Sequence, residues 1–262
     1  MNTPTPSGTF TPMPGAAPYR RQVLAQARME TRLLLRNGEQ LLLAVVIPLI
    51  VLVGGVLAAD RVGLDFPHGA VATLTPGVLA LAVMSTSFTS LAIATGFERR
   101  YGVLKRLGSS PLPRSGLLLG KVGALLAVEV LQVVVIAVAA VLLGWSPSPG
   151  AAGVLGALLV GLLGTAAFAA LGLFLAGALR AEATLAAANL VYLLLMAGGG
   201  VVIPSSSYGA LAPVVELLPS GALGNGLRVA LIDGAVPVVP LVVLAAWAAA
   251  GTALTSRTFT WE

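Results

Sequence analysis

The chain has no cysteine among its 262 residues, so neither a disulfide framework nor a thiolate metal site can form. Histidine occurs once, at His68, and a single imidazole near Asp65 does not make a metal centre. Aromatic residues amount to 5% and charged residues to 10%, against roughly one-quarter charged residues in soluble domains. What fills the chain is apolar: 57% hydrophobic residues and a mean hydropathy of +0.97. Such a composition reads as an all-α polytopic membrane protein. With about 20 apolar residues per crossing, about five to seven helices fit and no large soluble domain is left over. The formal charge of +5 then reports topology, because Lys and Arg accumulate in short cytoplasmic loops, and nucleic-acid binding is a poor explanation for it.

Residues 1–18 are rich in Pro, Thr, Ser and Gly and carry no charge, the composition of a disordered cytoplasmic tail. They do not form a secretory signal, since the arginines begin only at Arg20. Over residues 19–40, Arg21, Arg28, Arg32 and Arg36 fall along one helical stripe, with Val23, Ala27 and Leu34 on the opposite side. This pattern fits an amphipathic interfacial helix lying on anionic membrane lipid. It fits equally a basic flank that fixes orientation.

Residues 41–262 form the transmembrane domain, with six spans expected at 41–59, 71–96, 117–143, 153–179, 183–203 and 236–254. A cytoplasmic amino terminus puts Arg20 to Arg36, the cluster from Arg99 to Lys121, Arg180 and Arg257 inside, leaving only Arg61 and Arg228 outside. That asymmetry places both termini in the cytoplasm. Arg180 and Glu182 mark a tight cytoplasmic turn between the fourth and fifth spans. The external segment 204–233 is apolar but broken by Pro213, Pro219 and several glycines, so no part of it is long enough to cross. Two short re-entrant helices would satisfy its backbone, the second beginning after Ser220 as N-cap. Arg228 and Asp233 argue against a seventh span there.

The loop 97–114 concentrates Glu98, Arg99, Arg100, Lys105, Arg106 and Arg114 between two hydrophobic spans. Tyr101, Leu104 and Leu107, followed by Gly108, suggest a short helix with a glycine stop. A helix so brief is not stable alone in water and needs a partner or the membrane surface. Positive-inside bias would retain the charges without a partner, but it does not require the interleaved Tyr101, Leu104 and Leu107.

At this point the sequence resembles the transmembrane subunits of type 2 ABC exporters, the group that includes the daunorubicin-resistance permeases. The order of parts matches, and so do two motifs. The first is Glu98-Arg99-Arg100-x-Gly102-x-Leu104-x-Arg106-Leu107, followed by Pro111 and Pro113. The second is Leu218-Pro219 with Leu227-Arg228 and Asp233-Gly234 before the last span. The resemblance covers residue 19 to the end. It implies that Glu98, Arg99, Arg100, Tyr101, Gly102, Leu104, Lys105, Arg106 and Leu107 form a coupling helix seated on an ATP-binding subunit. It implies two such subunits on two permease chains, identical or not, and an external gate around Pro219 and Arg228. The chain itself offers no site for ATP: Gly116-Leu-Leu-Leu-Gly120-Lys121 is one residue short of a phosphate-binding loop, and Val122 stands where Ser or Thr should meet magnesium. Lys121 reads instead as a snorkelling residue at a span entrance. ATP and magnesium are therefore expected on the partner subunit, and this chain is not expected to be an enzyme.

Within the spans, Glu129 lies roughly 12 Å beyond Lys121 at 1.5 Å per residue, where a carboxylate needs a partner or water. It fits a pathway or dimer-interface group, and it fits a hydrogen-bonded acid holding two helices together; Gln132 lies one turn further on. Ser87 and its neighbours Ser85, Thr86, Thr89, Ser90 and Thr95 either line a polar path or bond their own helix carbonyls. Asn189 and Tyr192 are candidates for the same interface. Glycines at 153, 156, 161, 164, 172 and 177 allow close packing of the fourth span. A secondary transporter would show repeated halves and more buried charge, and a passive scaffold would not need the coupling-like loop. The expected function is an ATP-driven efflux permease for a drug-like or lipophilic substrate. Arginine outnumbers lysine and Ala, Gly, Val and Leu dominate, a bias that suits a bacterial cell membrane protein from a GC-rich genome.

Overall fold

A backbone amide in hydrocarbon has no water to bond, so each crossing segment must satisfy its own hydrogen bonds. Every described element of this chain is accordingly helical. The computed structural model describes residues 17–63, 66–108 and 112–258. The expected tail through residue 16, Asp65 and residues 109–111 lie outside them. The elements are α1 (Tyr19–Arg36), α2 (Gly38–Val62), α3 (Ala70–Met84), a π-helical turn (Ser85–Ser90), α4 (Leu91–Arg100) and α5 (Val103–Gly108). Then come α6 (Arg114–Leu142), α7 (Gly150–Ala178), α8 (Ala181–Gly198), a 3-10 turn (Ser205–Leu211), α9 (Ala212–Leu217), α10 (Pro219–Leu231) and α11 (Val238–Thr258).

Six of these helices are long and apolar enough to cross a bilayer, and they align with the six expected spans. The largest difference is at the end of the fifth, which stops at Gly198. There a run of three glycines ends the helix, and Gly200 takes φ +70, a left-handed conformation that a side chain would resist. The second span is the longest: α3, the π turn and α4 run continuously over Ala70–Arg100, 31 residues. At 1.5 Å per residue that is roughly 46 Å, against a hydrocarbon core of about 30 Å, so one end must project beyond it.

α3 is buried on every side from Thr73 to Met84, making it the axis of the bundle. Around it pack Leu52 of α2, Phe168 of α7 and Leu223 of α10, all fully enclosed, and Leu244 of α11 is buried in the same core. Lipid tails are as apolar as these side chains, so close contact rather than escape from water holds the helices together. Glycines supply the contact. A Cβ on Gly172 of α7 would meet the Phe88 carbonyl oxygen at 2.8 Å, and one on Gly251 of α11 would meet Ala170 at 2.9 Å. Phe88 and Phe168 then meet edge to face, 6.2 Å between centroids.

One end of the bundle gathers α1, α5, the end of α4, the start of α6 and the α7–α8 turn at Leu179 and Arg180. The other gathers α9 and α10, which fold back against α3, α7 and α11. α10 begins at Pro219, two residues earlier than expected, and Ser220 is not its cap. Proline suits the first helical position, where its missing N–H costs nothing, and the Ser220 hydroxyl instead donates to the Gly199 carbonyl at 2.8 Å.

α1 lies along the start of α6. Its contact face carries Gln26 and Glu30, both buried, and the seat on α6 is a glycine row. A Cβ on Gly116 would meet Tyr19 at 3.2 Å, one on Gly120 would meet the Gln26 side chain at 2.5 Å, and one on Gly123 would meet Ala27 at 3.3 Å. The run that superficially suggests a phosphate loop is thus a helix-packing groove.

Candidate functional site

The charged loop is built in two layers. The inner layer is anchored to the bundle. Lys121 Nζ on α6 donates to Glu98 Oε1 at 2.7 Å and lies 3.2 Å from Glu30 Oε1 on α1. Gln26 Nε2, one turn before Glu30, donates to the same carboxylate at 2.8 Å. Lys121 is only 5% exposed, so it does not snorkel; two carboxylates hold it inside. Arg99 reaches the end of α7 and donates to the carbonyls of Ala176 at 2.9 Å and Gly177 at 2.6 Å, with Leu179 at 3.4 Å. A helix leaves its last carbonyls unpaired and its C-terminus partly negative, so a guanidinium is matched there in both hydrogen bonding and charge. Leu104 is buried, and Leu107 is half-buried.

The outer layer faces away. Gly102 takes φ +69, which lets the chain turn from α4 into α5. Tyr101, Val103, Lys105 and Arg106 project outward around it. Arg100 forms an exposed ion pair with Glu182 at the start of α8 and lies 5.8 Å over the Tyr101 ring. Tyr101 in turn stacks on Phe97, 6.1 Å between centroids. This leaves a basic surface with an aromatic centre on a rigid footing. On α1, Arg21, Arg28, Arg32 and Arg36 are all exposed on the side away from α6.

Within the spans the polar residues divide. Gln132 is fully buried, with Nε2 donating to the Ala44 carbonyl at 2.8 Å and Oε1 accepting from Thr86 at 2.9 Å. Glu129, also buried, accepts from the Thr165 hydroxyl of α7 at 2.6 Å, while its Oε1 has no partner among the described residues. The same Thr165 hydroxyl lies 3.0 Å from the Gly161 carbonyl. Ser87 bonds its own helix at Val83, 2.6 Å away. Tyr192 is half-buried with its hydroxyl bonded to Ser85. Asn189 lies on the outer surface of α8. The structure therefore joins Gln132 to Thr86 and Tyr192 to Ser85, keeps Glu129 inside between α6 and α7, and turns Asn189 out.

At the opposite end, Arg228 of α10 is buried and uses all its donors on neutral acceptors. Nε faces the Thr73 carbonyl at 3.4 Å, Nη1 the Gly200 carbonyl and Asn225 Oδ1 at 3.2 Å each, and Nη2 the carbonyls of Val201, at 2.9 Å, and Val202. The carbonyls of Gly200, Val201 and Val202 follow the end of α8, so the guanidinium replaces the helix bonds lost there. Burial pulls its pKa down to about 10, which leaves it charged at neutral pH. A polar chain continues from it: Asn225 Nδ2 donates to Ser205 Oγ at 2.7 Å, and Ser205 to Glu216 at 2.8 Å. The chain lines a cavity of about 760 Å³ with His68, Thr73 and Asp233 on its wall. Pro219 is buried at the base of α10.

Sequence reasoning missed Glu30, Glu182 and Thr165 as members of these sites. Glu30 had a readable signal: it is acidic, yet one turn after Gln26 on the face of α1 that carries Val23, Ala27 and Leu34. Glu182 and Thr165 had none, because their partners are distant in sequence. Among the described residues, no group of three or more His, Cys, Asp or Glu side chains is arranged to hold a metal ion.

A family model described as ABC-2 type transporter matches residues 19–232. No curated protein matches the chain.

Proposed function

The chain belongs to the ABC-2 type transporter family, and from that premise we propose that it is the membrane half of an ATP-driven exporter. It is a multi-pass membrane permease, the non-catalytic component of an ABC transporter that works with an ATP-binding subunit. In the proposed assembly two permease chains associate with two ATP-binding subunits, which hold ATP and magnesium. Both termini and the α4–α5 loop face the cytoplasm of a bacterial cell, following the distribution of Lys and Arg. The cargo is a drug-like or lipophilic molecule taken from the cytoplasm or inner leaflet, since the spans offer a mainly apolar path.

One observation carries the docking role: the loop presents Arg100, Tyr101, Val103, Lys105 and Arg106 outward while Glu98, Arg99 and Leu104 anchor it to the bundle. A surface built on a fixed base can transmit force from a partner, and its charge suits an acidic cleft. Asn189 supports a second permease chain, because an amide on the outer face of a span is better matched by another protein than by lipid. Arg228 and Pro219 act at the external gate, where α10 closes against the segment that follows α8. α1 rests at the membrane surface with its Arg21, Arg28, Arg32 and Arg36 stripe toward anionic headgroups and the cytoplasm.

The test is purification from the native membrane in mild detergent, comparing the parent with an Arg100→Ala/Tyr101→Ala/Lys105→Ala variant. These side chains are exposed, so the variant keeps its fold. ATPase activity and a nucleotide-binding polypeptide are expected with the parent and lost from the variant. A folded parent that carries no such polypeptide, or a variant that retains it, would overturn the reading.

A further inference from the structure

We propose that Lys121 is a positioning residue that fuses α1, the end of α4 and the start of α6 into one block, so that a push on the α4–α5 loop also displaces the amino-terminal helix. The proposal rests on the permease reading for the source of the push, but the block itself is a property of this chain. Three elements that are far apart in sequence meet on one ammonium group: Glu98 at 2.7 Å from α4 and Glu30 at 3.2 Å from α1, with Lys121 on α6 between them. An ammonium has three donors in a compact head and can hold both carboxylates at once. All three side chains are largely withdrawn from solvent, at 6%, 11% and 22% exposure for Lys121, Glu30 and Glu98. At that depth screening by water and salt is weak, so the attraction is firm.

The charges do not balance without the lysine. Two carboxylates share one cation, and Glu98 Oε2 is buried with no partner among the described residues. If Lys121 moved away, two acids would be left facing each other inside the protein, so the block stays closed or opens entirely. The glycine groove reinforces this. With Gly120 set against Gln26 and Gly123 against Ala27, α1 has no slack perpendicular to α6. Glu98 lies on the last turn of α4, only four residues before Gly102, where the exposed loop turns. A displacement of the loop therefore reaches Lys121 through one helical turn and passes to α1 through Glu30. Arg99, the next residue, ties the same turn to α7. One turn of helix thus has two outputs, the bundle through Arg99 and the surface helix through Glu98.

The test uses spin labels on Leu24→Cys of α1 and Leu119→Cys of α6, both exposed, in a chain with no cysteine of its own. The parent is compared with the neutral triple variant Glu30→Gln/Lys121→Met/Glu98→Gln, chosen because removing the whole ionic group leaves no stranded charge, and with Lys121→Arg. In the parent the label distance should be narrow and the same with and without ATP in the complex. The neutral variant should show a broad label distribution and, compared at equal amounts of bound ATPase, about tenfold less transport per ATP, a typical size for coupling between sites. Lys121→Arg, which keeps the cation, should retain the narrow distance and the parental transport per ATP. A neutral variant with parental distances and parental transport per ATP would overturn the proposal. Failure of the permease reading looks different: no ATPase accompanies the parent, and the label distances of the chain alone then decide whether the block exists.

Discussion

The side-chain amide of Gln132 donates to the carbonyl of Ala44, the one carbonyl in α2 that Pro48 leaves without a helical partner. Proline lacks the N–H that would bond four residues back, and in lipid the orphaned carbonyl cannot turn to water. Gln132 fills the gap and spends its oxygen on Thr86 of the π turn, so one side chain links three spans. Gln132→Leu should lower stability by about 1–2 kcal/mol, since it strands both a carbonyl and a hydroxyl. Adding Pro48→Ala restores the missing helix bond and should recover part of that loss. Thermal unfolding of the single and double variants in detergent gives the coupling, and additive effects would refute the link.

Arg228→Lys keeps the charge but not the geometry. An ammonium cannot span the carbonyls of Thr73, Gly200, Val201 and Val202 together, because they require a planar fork. The variant should lose about 2–3 kcal/mol and expose the segment after α8 to proteolysis. The ATP-binding partner should remain attached, since the surface proposed for it lies at the other end of the bundle. A protease pattern identical to the parent's would count against a clamp at this site.

Glu129 and Thr165 form an unequal pair. Thr165 has a second acceptor in the Gly161 carbonyl, whereas Glu129 has no other partner among the described residues. Glu129→Gln should therefore leave stability within about 1 kcal/mol of the parent, and Thr165→Val should cost about 2–3 kcal/mol by stranding a buried acid. The order of the two melting temperatures is the measurement. Were Glu129→Gln the more damaging change, the carboxyl would have a partner that this arrangement lacks.

Hydropathy made the six crossings legible because a span is a local property, settled by about 20 consecutive residues. The charged loop was legible for a related reason: charge among apolar spans is conspicuous. What remained hidden was pairing. Lys121 resembles any lysine at a span entrance until Glu30 and Glu98 are brought to it, and no periodicity announces that α1 and α4 meet on one lysine. Ser220 carries a capping side chain, but Pro219 competes for the start of the same helix and takes it, freeing the serine to bind Gly199. The π turn at Ser85–Ser90 gave no warning either, since serine and threonine are compatible with an ordinary helix that bonds its own carbonyls.

α7 runs 29 residues with no proline and no π turn. At its last turn the guanidinium of Arg99 grips the Ala176 and Gly177 carbonyls, and near its first turn Gly153 and Gly156 lie against Ala230 and the chain leading into α11. A helix of that length spans roughly 43 Å. One continuous helix therefore connects the Arg99 contact at one end of the bundle to the Ala230 contact at the other.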